Sequence, residues 1–142
     1  MEEATNLNRF VDAQASNYTQ ALAEIRNGQK RSHWMWYVFP QIAGLGFSST
    51  AAFYAIHDLQ EAIDYLNHPL LGPRLIEIAT AMLHVEGKPA TQILGSPDDV
   101  KLRSSMTLFS LVPDADPIFQ AVLDKYYSGT PDPATLSMLG KA

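Results

Sequence analysis

The sequence predicts an all-α fold, a single compact domain of about eight to ten short-to-medium helices spanning residues 1–142. Three observations carry this expectation. Ser or Asp directly before Pro marks helix starts, glycines fall where helices should end, and apolar residues recur three and four apart without strand-like alternation.

The first helix is read over Asn8 to Gln14. The second, Tyr18 to Asn27, follows Asn17, which with Gln20 three residues on fits reciprocal end-capping, and stops before Gly28. His33 to Val38 lies in an apolar run that periodicity alone does not assign between buried helix and buried strand. Ser32 as a cap and the lack of a partner strand favour helix, and Phe39 before Pro40 ends it. QIAGLGFSS reads as a loop, followed by a helix over Thr50 to Ile56. Leu59 to Asn67 is started by Asp58 with Glu61, and His68 before Pro69 marks its boundary. Pro73 to Glu86 carries one apolar face of Leu75, Ile78, Ala79, Met82 and Leu83, and Gly87 follows it. Ala90 to Leu94 ends at Gly95. Ser96, Asp116 and Asp132 are expected to cap helices over Pro97 to Leu111, Pro117 to Ser128 and Pro133 to Leu139, with Gly129 and Gly140 after the last two. The segment Met1 to Thr5 is polar and expected to be flexible.

Composition narrows the function classes. The chain has no cysteine, which excludes thiolate catalysis, Cys-ligated zinc, iron–sulfur clusters and disulfides and suits a reducing, cytoplasmic compartment. No secretory or transit segment is expected, and the apolar run His33 to Pro40 falls far short of the roughly 20 residues of a membrane span. Fifteen acidic against ten basic residues disfavour nucleic acid or an anionic membrane as partner, and no helix carries the basic cluster of a helix-turn-helix reader. His33, His57, His68 and His84 never pair at helical spacing, so no metal is expected. GLGFSS lacks the preceding strand and third glycine of a dinucleotide loop, and no cofactor is expected.

Two segments concentrate chemistry. In KRSHWMWYVFPQ, Lys30 and Arg31 would meet an anionic group, Trp34 or Trp36 would stack on a planar ring, and Ser32, His33 or Gln41 would orient the ligand or exchange a proton. Plain packing of a core helix explains the same aromatics. In SPDDVKLRSSMTLF, Lys101 and Arg103 add cations, and Ser104, Ser105 and Thr107 are modest helix formers placed mid-helix, fit for a polar pocket or a tight helix contact. Asp98 and Asp99 also suit the helix dipole, and Asp99 with Arg103 suits a surface ion pair. Packed together, the two segments would gather Lys30, Arg31, Lys101 and Arg103 around indoles and hydroxyls.

The string KRSHWMWYVFPQIAGLGFSS, with FYAI, EAIDYL, NHPLLGPRL and QILGSPDDVKLRSSMTLF, resembles an uncharacterised bacterial, mainly α-helical family of unknown function. Its members often carry the automatic label "calpastatin". The resemblance, running from Phe10 to the end, implies a mostly helical domain and no function, and the chain is unlike a disordered, polar calpain-inhibitor repeat. The pattern from Gly95 to Arg103 is similar to a segment of a helical family associated with ADP-ribose and related N-glycosidic nucleotide metabolism, which implies a phosphorylated ribose ligand.

The leading expectation is an intracellular enzyme or sensor for an anionic, ring-bearing small molecule, nucleotide or ADP-ribose-like. In its N-glycosidic hydrolase version, Asp12, His33, Asp98 or Asp99 would act on water or the sugar centre. The alternative is a non-catalytic interaction module or homodimerising domain that presents Trp34, Trp36 and Tyr37 to a protein partner.

Overall fold

The computed structural model describes residues 6–141, so the expectation for Met1 to Thr5 lies outside the described residues. Ten helices follow in order: α1 (Asn8–Ala15), α2 (Tyr18–Arg26), α3 (Met35–Val38), α4 (Ser49–Phe53), α5 (Leu59–Asn67), α6 (Leu71–His84), α7 (Ala90–Leu94), α8 (Asp98–Ser110), α9 (Ile118–Tyr127) and α10 (Pro133–Met138). The all-α reading holds. Among the described residues the only β feature is an isolated bridge between Ile42 and Ile56. There the Ile56 N–H donates to Gln41 and the Ala43 N–H to Ile56, both at 2.8 Å, which pins the start of the loop after α3 to the chain after α4.

The core is organised around α8, which packs against α5, α7, α9 and α10. Leu102 and every residue from Ser104 to Phe109 are buried, the pattern of a helix covered on all sides rather than on one stripe. Its mid-helix hydroxyls are therefore interior: Ser104 and Thr107 bond backward to the carbonyls of Val100 and Arg103. A chain of rings crosses the core from α1 to α9. Phe10 meets Tyr65 edge-on at 5.2 Å, Tyr65 meets Phe109 at 5.3 Å, and Phe109 meets Phe119 at 5.9 Å.

Helix punctuation is obeyed where the side chain can reach. Asp58 accepts from the Glu61 N–H and Asp132 from the Thr135 N–H, each at 2.9 Å, and Pro133 follows Asp132 at the first helical position. Three expected caps do not form. Ser96 makes no cap bond, and α8 starts at Asp98 with Pro97 before it. Asn17 turns back to the Ala13 carbonyl, while Gln20 reaches Glu24 and Ser32 instead of closing a capping box. Ser32 donates to Glu24, and the third helix shortens to Met35–Val38.

The corner between α5 and α6 is a close approach of backbones. His68 Nδ1 accepts from the N–H groups of Leu70 and Leu71, capping α6, and Gly72 sits against the Leu66 carbonyl. A Cβ on Gly72 would lie 2.1 Å from that oxygen, so no side chain fits without moving one helix. Gly72→Ala is expected to lower stability by about 2–3 kcal/mol in urea unfolding. A wild-type midpoint for this variant would contradict the tight corner.

Candidate functional site

The site begins at the end of α2. Gly28, with a φ of 74°, lets the chain reverse, and the Gln29 and Gly28 N–H groups donate to Glu24 and Ile25 in the paired pattern of a Schellman cap. The chain then wraps around the Glu24 side chain. Oε1 accepts from the Trp34 indole at 2.8 Å, from the Arg31 N–H at 2.9 Å and from the Ser32 N–H at 3.1 Å. Oε2 accepts from the Ser32 hydroxyl at 2.7 Å and from Gln20 at 3.1 Å. Burial alone would push this carboxyl up, but the bonds from Arg31, Ser32 and Trp34 outweigh it and hold the pKa at about 2.

This anchor decides the fate of the two tryptophans. Trp34 is drawn inward to 1% exposure, with the Lys30 ammonium 5.2 Å from its ring. Trp36, half-buried, forms instead the wall of a groove of about 500 Å³ between the loop 41–48 and the outer faces of α8 and α10. The Lys101 ammonium stands 5.4 Å from the Trp36 ring. Pro97 just before α8 and Val100, Lys101 and Ser104 on it line the groove at positions three and four apart, while Gln41, Leu45 and Phe47 come from the facing loop. Asp132 lies in the lining next to Ser104, which donates to its Oδ2 at 3.1 Å.

A smaller hollow of about 140 Å³ adjoins the groove and shares Trp36 and Gln41 with it. His57 lines this hollow, 46% exposed, with Nδ1 3.3 Å from Glu61 Oε1. Glu61 is fully buried and already holds Arg9 through two contacts, at 3.0 and 3.2 Å.

The expected gathering of four cations does not occur, because three have other positions. Lys30 is paired with Asp98 at 2.8 Å, and Arg103 donates to the Thr130 and Pro131 carbonyls, bracing the chain before α10. Arg31 is exposed, and among the described residues its guanidinium reaches Gln29. Lys101 alone of the four lines the groove, with Asp98 3.7 Å away. Ser32 is taken up by Glu24, and His33 and Asp12 are exposed outside the groove lining. Asp99 accepts from Thr91 through Oδ2 and from Tyr127 through its backbone carbonyl, leaving Oδ1 buried without a partner. Ser105 lies in the core, its hydroxyl also unpartnered. Of the predicted residues, the groove brings together Trp36, Gln41, Lys101 and Ser104.

Asp132, His57, Leu45, Phe47 and Val100 are the site residues that sequence reasoning passes over. Asp132 carries a capping signal that conceals its second role, and Phe47 sits in a loop whose apolar tip has no periodicity to read. Among the described residues no three His, Asp or Glu could hold a metal ion, and no helix is long and apolar enough to cross a membrane.

Residues 4–139 match the family described as "Protein of unknown function (DUF1810)". The crystal structure of the conserved hypothetical protein Rv1873 from Mycobacterium tuberculosis is similar to this chain at 49% identity and a TM-score of 0.95, covering 97% of this chain and 99% of that one. No curated protein matches.

The Glu24 anchor has a defined pH signature. A depressed carboxyl stabilises the fold fully above its unfolded value of 4.5 and loses that contribution as pH falls toward about 2. Glu24→Gln is expected to lose roughly 2–3 kcal/mol at neutral pH, a deficit that shrinks steadily in urea unfolding series carried down to about pH 2.5. A deficit of constant size across that range would show that the charge is not the source of the stability.

Proposed function

Because the chain belongs to the DUF1810 family, for which no activity is stated, we propose its function from the groove alone: it binds a small molecule that carries a planar ring and an anionic group, nucleotide or ADP-ribose-like. The observation that carries the reading is the Lys101 ammonium held 5.4 Å from the half-exposed Trp36 indole in a groove of ligand size. A ring laid along the open part of the indole brings an anionic substituent to Lys101. Asp98 does not neutralise that ammonium fully, since it lies closer to Lys30, at 2.8 Å against 3.7 Å. Gln41, on the facing loop, supplies an amide able both to donate and to accept at the ring edge. The hydrolase version draws no support from Asp12, His33, Asp98 or Asp99, because none of them lines the groove.

A protein partner is the second reading, and the observation favouring it is Phe47, which is 100% exposed at the groove rim near the exposed Val100. Trp34 cannot serve as its anchor, being inside the core.

Thermal shift and tryptophan fluorescence with nucleotides, ADP-ribose and phosphosugars separate the two. A ligand that raises Tm and quenches emission is expected, with affinity falling about tenfold in Lys101→Ala and unchanged in Arg31→Ala. No response across the panel, or equal loss in both variants, would turn the assignment toward a protein partner docking on Phe47.

A further inference from the structure

Asp132 is placed in the groove in a way that capping does not require. Its Oδ2 accepts three bonds, from the Thr135 N–H at 2.9 Å, the Thr135 hydroxyl at 2.7 Å and the Ser104 hydroxyl at 3.1 Å. Its own N–H donates to Thr107 at 2.9 Å, so both ends of the residue are fixed against α8. Oδ1 takes none of these bonds and is not among the buried atoms left without a partner, so on a residue only 8% exposed it is an acceptor still within reach of a small donor in the groove that Asp132 lines. An ionised carboxylate oxygen can only accept, so what it takes from a guest is a donor.

The neighbourhood selects the kind of donor. Lys101 lies on the same face of α8 as Ser104, three residues earlier and so about 4.5 Å along the helix axis. A cationic group on the ligand would meet that ammonium, whereas a neutral hydroxyl would not. The ammonium beside the indole and the hydroxyl that holds the carboxylate thus stand three residues apart on α8, offering receivers for a ring, an anion and a hydroxyl. Resting on the ring-and-anion reading above, we propose that Asp132 is the groove's specificity residue and that the ligand carries a sugar whose hydroxyl donates to its Oδ1.

The test uses nucleoside monophosphates of the four common bases, their 2′,3′-dideoxy counterparts, and phenyl phosphate, titrated into the whole protein. On the wild-type chain at least one nucleotide should bind about tenfold or more tightly than its dideoxy form, as expected for a hydroxyl paired with a buried carboxylate. In Asp132→Asn, which removes the carboxylate's charge and one of its two acceptor oxygens, the ratio of nucleotide to dideoxy affinity should fall toward one whatever the change in overall affinity, and a ratio unchanged from wild type would overturn the role of Asp132. Equal binding of each pair by the wild-type protein would overturn the role of Asp132 and leave the ring-and-anion groove standing, and it needs no variant to fold. If no nucleotide, dideoxy form or phenyl phosphate binds, the groove reading itself fails and this inference fails with it.

Discussion

The arrangement of the site depends on one buried carboxylate. Glu24 collects two backbone N–H groups, a hydroxyl and an indole from the segment just past the end of its own helix, and an amide from Gln20 one turn earlier in that helix. Four donors of the reversal converge on one side chain, which fixes its path and pairs the indole N–H of Trp34 that is carried into the core. The consequence reaches beyond the turn. With the indole of Trp34 tied inward, the following turn of chain delivers Trp36 to the surface against α8, and the loop that begins at Gln41 closes the groove from the other side.

Charge in this protein goes first to structure. Arg9 holds Glu61 together with the carbonyls of Phe53 and Ala55, Lys30 holds Asp98, and Arg103 braces the carbonyls before α10. Lys101 is left with an aromatic face and a shared carboxylate, which is why it rather than its neighbours marks the site. On the proposed reading, a single partly committed ammonium beside an indole would select a ring bearing an anion in an acidic chain without a broad basic surface.

Helices were legible because their ends are encoded locally. Asp58 and Asp132 reach their own first turns, Gly28 and Gly129 take the positive φ that ends a helix, and α5 and α7 begin and end where punctuation places them. The candidate site was legible only in part, for the opposite reason. Lys30 and Arg31 are adjacent in sequence, yet one is drawn to Asp98 and the other faces solvent, a division set by Glu24 and invisible to spacing. Ser104 reads as a polar oddity in a helix, and only its contact with Asp132, 28 residues away, gives it a use. Asp132 itself hides behind its capping signal, because capping engages one oxygen and the sequence says nothing of the other.

The central claim is that Glu24 divides the two tryptophans, making Trp34 part of the core and Trp36 the wall of the groove proposed to take a ligand. The two indole N–H signals in a nitrogen–proton correlation spectrum report on that division directly. During titration with the nucleotide that binds best, the account predicts that the Trp36 signal moves and saturates while the Trp34 signal stays in place and resists solvent exchange. Movement of Trp34 alone, or two signals exchanging equally fast with water, would contradict it.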